Sequence, residues 1–247
     1  MKVNNSICDQ GARGVYSSKI IIFDTETTGL PKSRQSLVNN TEEWPYIVQF
    51  SYIIYDLTTN QIEVVSDHII KLEEDIDIPE ESSKIHGITK EISNEKGVSI
   101  KEVIDRFIVD LSDCQLLIAH NLEFDLNVLI VELIRMNRYA ELLEDNVSID
   151  LNNSAYEKIT NIKKYCTMKE TEKKCNIKAV SKTGKEYTKY PTLGELHYYL
   201  FKLYPKNLHN SLNDILICLR CFYMLQKKED ICTINIEIKQ MLQPLIL

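Results

Sequence analysis

An apolar run that ends in two carboxylates constrains this chain more than any other feature. Lys19-Ile20-Ile21-Ile22-Phe23 reads as a buried strand, and it runs straight into Asp24-Thr25-Glu26. Side chains alternate across a strand, so residues i and i+2 share a face. Asp24 and Glu26 therefore project side by side from the end of a core strand. Two like charges at that range resist joint ionisation unless a cation neutralises them. A set of oxygen donors alone favours magnesium or manganese over zinc. Two more acidic clusters lie far along the chain, His120-Asn121-Leu122-Glu123-Phe124-Asp125 and His209-Asn210-Ser211-Leu212-Asn213-Asp214.

Around these clusters the chain reads as one α/β domain over residues 19–230, with a loose N-terminal tail at 1–18 and a C-terminal extension at 231–247. Residues 19–25, 47–56 and 61–71 read as strands. The turn residues Thr58-Thr59-Asn60 make the second and third an antiparallel pair. Val103, Ile104, Phe107, Ile108 and Leu111 recur at helical spacing over 100–112. Leu116 to Ala119 is a short buried strand, and Leu122 to Arg138 a helix opening at Asp125. Residues 192–204 and 211–227 return to helical spacing. Trp44-Pro45 reads as an extended entry to the second strand. Cys218 and Cys221, three apart on the last of these helices, read as core.

Composition restricts the partners. The formal charge is −7, so no global basic field draws in a polyanion, and any such ligand must be held locally. The stretch 157–189 departs from the average with ten Lys against four Glu. Tyr165, Tyr187 and Tyr190 lie among these lysines, and Ser181-Lys182-Thr183-Gly184-Lys185 has the make-up of a hairpin tip. A solvated face is the plain reading of the stretch, and a phosphate-tracking arm the alternative. Seven cysteines, an odd number, argue against a disulfide framework and fit a reducing compartment. The first 18 residues lack the apolar core of a signal peptide, and no run approaches the ~18 apolar residues of a membrane span. The expectation is a soluble intracellular protein without membrane attachment.

Phe23-Asp24-Thr25-Glu26-Thr27-Thr28-Gly29-Leu30, Ala119-His120-Asn121-Leu122-Glu123-Phe124-Asp125 and His209 to Asp214 resemble, in order, the three motifs of the DEDD exonuclease superfamily in its histidine (DEDDh) branch. Ile85-His86-Gly87-Ile88-Thr89 matches a segment typical of proofreading, epsilon-subunit-like members. The resemblance covers roughly residues 19–225. It implies a ribonuclease-H-like fold, a mixed five-stranded sheet flanked by helices. It implies removal of nucleoside 5′-monophosphates from 3′ ends, with Asp24, Glu26, Asp125 and Asp214 holding two divalent cations, Mg2+ or Mn2+, and His209 as general base. His86, Thr27 and Leu30 are implied to contact the terminal nucleotide. His120 is expected to have a structural hydrogen-bonding role.

Phosphodiester hydrolysis is consistent with such a set. It needs an activated water, stabilised phosphorane charge and help for the leaving oxygen, which two cations about 3.5–4 Å apart provide. A histidine, with an unperturbed pKa of about 6.5, takes a proton from water at neutral pH. DNA is the favoured substrate because Thr27-Thr28-Gly29 and Ile85 to Thr89 resemble the proofreading-type members, and RNA is the rival because no residue here fixes sugar preference. A polymerase acting in trans is the expected partner of a proofreading enzyme. The readings from other classes are a polymerase-associated binding subunit with incidental activity and a small-nucleotide phosphatase. The terminal Gln243-Pro244-Leu245-Ile246-Leu247 reads as a tail packed on the body, with a faint likeness to a sliding-clamp motif as the alternative.

Overall fold

The computed structural model describes residues 18–142 and 146–247. Strand β1 (Lys19–Thr27) lies at the centre of a five-stranded sheet. Its neighbours are β2 (Ile47–Asp56), then β3 (Gln61–Ile69), on one side and β4 (Leu116–Ala119), then β5 (Lys163–Cys166), on the other. The β1–β2 and β2–β3 pairs are antiparallel, whereas β1–β4 and β4–β5 are parallel. This mixed sheet flanked by helices is the ribonuclease-H-like arrangement expected from the motifs.

The alternation of β1 distributes its side chains between two cores. Ile21 and Phe23 pack in a layer with α3 (Ile100–Leu111) and α4 (Leu122–Leu142), where Phe107 touches Phe23 and Phe50 at ring-centroid distances of 5.6 and 5.1 Å. Ile20 and Ile22 point the other way. They pack with residues of α7 (Leu193–Phe201), α8 (Ser211–Lys227) and α9 (Ile236–Ile246). A strand buried on both faces reads as a continuous apolar run, and β1 is one until the chain reaches Asp24. Because β4 runs parallel to β1, with Ile22 level with Ile118, both strands deliver their carboxyl ends to the same edge of the sheet. Open α/β sheets place their sites at that edge.

Several elements differ from the sequence reading. Helices α1 (Glu80–His86) and α2 (Lys90–Lys96) were not anticipated, and His86 closes α1. Strand β3 stops at Ile69, and Ile70 then bridges to Val98. The lysine-rich stretch is regular structure. It holds the end of α5 (Asn146–Asn161), the edge strand β5, α6 (Thr167–Cys175) and a hairpin of β6 (Ile177–Val180) and β7 (Glu186–Lys189). The hairpin tip falls where expected, closed by Ser181 N–H donating to Lys185 C=O and by Gly184 at φ 81°. Trp44 is extended and buried, and Cys218 and Cys221 lie in the core. The expected tail lies outside the described residues except for Ser18, which donates to Asp56. At the other terminus Leu242 and Leu245 are buried against the body. The six cysteines among the described residues are free, and no helix among those residues is long and apolar enough to cross a membrane.

Candidate metal and catalytic centre

The carboxylates of β1 meet a third from α8. Asp24, Glu26 and Asp214 each offer an oxygen within 4.8 Å of the others. Asp24 and Glu26 share the face of β1 that carries Ile20 and Ile22, and that face packs against α8. The fourth acid, Asp125, stands in the first turn of α4, directly beyond the end of β4. It is 3% exposed, and its Oδ1 accepts both the backbone N–H of Thr25 at 3.1 Å and the Thr25 hydroxyl at 2.8 Å. Thr25 alternates with Asp24 and Glu26 and so turns toward α4. Three consecutive residues of β1 thus serve both layers of the site.

Burial favours the protonated form of all four acids, and neighbouring carboxylate charge adds to it at Asp24, Glu26 and Asp125. Burial pushes Asp24 well above the usual carboxylate range, and the charges of Asp125, Asp214 and Glu26 push it further. Glu26 rises to about 8 by burial and by the charges of Asp214 and Asp125. Asp125 rises to about 7 through burial, although its bonds to Thr25 act in the other direction. Asp214 also rises to about 7 by burial, opposed by the backbone N–H of His209, which donates to Oδ2 at 3.1 Å. Its other oxygen, Oδ1, is buried and has no hydrogen-bond partner. A buried orphan oxygen beside two further carboxylates is costly in a protein-only structure. Hard divalent cations answer both the orphan and the repulsion, so the donor set fits magnesium or manganese.

His209 is exposed and sits two residues before α8, in the left-handed region at φ 67°. The helix begins at Ser211 with Asn210 as its cap, whose side chain accepts from Asn213 N–H, and Asp214 lies on the first turn as expected. A polar network from β2 ties this helix start to the sheet. The Asp67 carboxylate accepts from Gln49 Nε2 and from the Ser51 hydroxyl, each at 2.7 Å. Ser51 spends its one proton on Asp67, so Ser211 is the donor in the 2.5 Å contact between the two hydroxyls. Gln49 Oε1 accepts from Ser211 N–H. Gln49 and Ser51 lie opposite Glu26 and Asp24 in the register of β2. The sequence reading missed these positioning residues, although two polar residues at i and i+2 inside an apolar strand were a visible signal.

His120 makes the side-chain hydrogen bonds expected of it. Its Nε2 lies 3.1 Å from the Pro191 carbonyl, which accepts only, so Nε2 carries the proton and the neutral ring accepts from the Thr167 hydroxyl at Nδ1. Burial lowers its pKa to about 4. The three expected nucleotide contacts gather near the end of β1. Thr27 is buried, and its hydroxyl donates to Gly29 C=O, whereas Leu30 is 82% exposed. α1 leans on this turn through Ser82, which donates to Thr28 C=O. His86 is buried, with Nδ1 accepting from Ile88 N–H and Nε2 unpartnered. Burial also lowers its pKa.

The RNase_T exonuclease family model matches residues 21–142, the span from β1 through α4 that carries three of the four acids. Residues 21–142 carry a domain of that exonuclease family. No curated protein sequence matches it. Among solved structures, it resembles Escherichia coli exonuclease I in complex with a dT13 oligonucleotide, with a TM-score of 0.58, 13% identity and coverage of 85% of this chain and 42% of that one. Exonuclease I of Methylocaldum szegediense gives a TM-score of 0.56 at 17% identity, over 87% of this chain and 42% of that one. The zinc-bound form of the E. coli enzyme with single-stranded DNA gives 0.57 at 14%, over 91% and 42%. At these identities the likeness speaks for the fold. The chain spans less than half the length of those neighbours.

Proposed function

We propose that this protein is a metal-dependent 3′→5′ exonuclease that removes nucleoside 5′-monophosphates from single-stranded DNA. The observation that carries the reading is the convergence of Asp24, Glu26 and Asp214, with a buried unpartnered oxygen on Asp214 and with Asp125 fixed by Thr25. Asp24, Glu26, Asp125 and Asp214 are the residues that would hold divalent cations, with Mg2+ the favoured ion. Bound there, the ions neutralise phosphate charge and activate water.

The chain's own groups supply the rest. His209, exposed at the mouth of the acidic set, takes the proton of the attacking water as general base. Its backbone bond to Asp214 ties the base's position to an acid of the centre. Leu30, projecting into solvent beyond β1, wedges against the terminal base, while Thr27 touches the terminal sugar and His86 contacts the same nucleotide. DNA is preferred over RNA in this reading because the fold neighbours are described with oligodeoxynucleotides. The presence of all four acids and the histidine favours an enzyme over a subunit that only binds.

The test uses 5′-labelled single-stranded DNA and RNA of one sequence, incubated with magnesium, manganese or a chelator. A ladder shortening from the 3′ end, absent with chelator and in Asp24→Ala, is the expected result. The ratio of DNA to RNA rates assigns the sugar. No cleavage of either strand by the folded wild type would replace this reading with a binding role.

A further inference from the structure

Helix α7 carries two surface features that the acidic centre does not use. The first is a stacked pair of tyrosines. Tyr198 and Tyr204 lie with ring centroids 4.5 Å apart and planes 13° from parallel, and they are 43% and 57% exposed. Tyr204 packs beside Gly194, where an added Cβ would lie 3.8 Å from the Tyr204 ring and 3.4 Å from Leu208. Leu208 directly precedes His209, so the pair stands next to the segment that presents the base. The second feature is a cavity of about 380 Å3 beside the C-terminal end of the helix, lined by Lys174, Tyr199, Lys202 and Lys228 among others. Lys202 Nζ lies 5.5 Å from the Tyr199 ring centre. Among the described residues, none of the three lysines forms an ion pair.

Exposed rings offer faces on which any base can stack, and lysines without a carboxylate partner offer charge to phosphates. In a chain of net charge −7, that charge must be local to act. We propose that α7 is the track for the single strand upstream of the scissile end, with bases stacking on the Tyr204–Tyr198 pair and phosphates held by Lys174, Lys202 and Lys228. The proposal rests on the exonuclease reading for its polarity, the 3′ end at His209 and the 5′ direction running along α7. Lys202 Nζ lies 6.0 Å from the Tyr198 ring centre, so the lysines serve phosphates beside the stacked base rather than at the scissile end.

Binding and chemistry are measured separately. Anisotropy of a fluorescent oligothymidylate of about 12 nucleotides, in chelator so that nothing is cleaved, reads the track. Hydrolysis of thymidine 5′-monophosphate p-nitrophenyl ester, too small to reach α7, reads the centre. Tyr204→Leu should raise Kd about tenfold, and Tyr204→Phe, which keeps the ring, should restore it. Replacing all three lysines by Gln should lower the slope of log Kd against log salt by about 2, at roughly 0.7 per lost phosphate contact. Ester hydrolysis should be unchanged in every variant. Wild-type affinity and slope in folded Tyr204→Leu and in the lysine variant would overturn the proposal, as would absent binding by the wild type or a parallel fall in ester hydrolysis. Binding that follows the expected pattern in a protein that cleaves neither ester nor oligonucleotide would sink the exonuclease reading and leave the track standing.

Discussion

The helix starts that deliver Asp125 and Asp214 both place a histidine and an acid beside β1, but they hold them differently. At α4, His120 is bonded at both ring nitrogens and Asp125 Oδ1 receives two bonds from Thr25. At α8, the His209 side chain stands exposed, and Asp214 keeps one oxygen bonded and the other bare. A corner whose polar atoms are already paired fixes geometry, and one with free atoms retains capacity for ligand and proton. The division predicts that damage at α8 removes chemistry from an intact protein, whereas damage at α4 removes stability first.

The sharpest way to break that contrast is His209→Ala. If His209 is the general base, the rate should fall roughly 100- to 10,000-fold and the acid limb of the pH–rate profile should disappear. The melting temperature should not move, because among the described residues His209 is held by its backbone N–H and its side chain is exposed. An unchanged profile would assign the proton to another group.

Metal-free stability against pH comes next in size. Glu26, at about 8, and Asp125 and Asp214, at about 7, lie above their unfolded values in the folded chain. The folded state therefore holds protons that the unfolded state has released, and stability falls as pH rises from about 4 to 8. Melting in chelator should decline by several degrees across that window, roughly 4–8 °C for each ~1 kcal/mol in a small domain and less in a larger one. Magnesium should recover more at pH 8 than at pH 5, because it binds the ionised acids. A flat curve would mean that the acids do not face one another as described.

Much of this centre was legible because β1 obeys simple alternation. An apolar strand with carboxylates at i and i+2 has few other uses, so Asp24 and Glu26 stood out before any geometry. Asp125 and Asp214 were legible only through the motifs they close, Ala119 to Asp125 and His209 to Asp214. What stayed hidden depends on tertiary placement. Strand β5 opens with Lys163 and Lys164, both exposed on an edge strand, so it lacks a buried alternation to read. Helices α1 and α2 are seven residues each, too short to show a period. The Gln49–Ser51–Asp67–Ser211 network joins three elements, and no local spacing connects residues so far apart in the chain.

His120→Leu tests the other corner. It should cost about 1–3 kcal/mol, because the Pro191 carbonyl and the Thr167 hydroxyl lose their ring partner. The rate per folded molecule should stay within about an order of magnitude of wild type, since the ring touches none of the four acids in any recorded bond. A collapse of kcat with unchanged melting would place His120 in the chemistry and erase the distinction between the two corners.

The smallest effect should come from Thr25→Val, which keeps the shape and the backbone N–H bond but deletes the hydroxyl bonded to Asp125 Oδ1. The net loss should be about 1 kcal/mol. The Thr25 bonds hold the Asp125 pKa down against burial, so removing one raises it further and makes metal loading require higher pH. The activating magnesium concentration should therefore rise, most clearly near pH 7, while the saturated rate changes little. If saturating magnesium does not restore the rate, Thr25 sets the position of Asp125 as well as its charge, and the rigid corner is part of the reaction geometry.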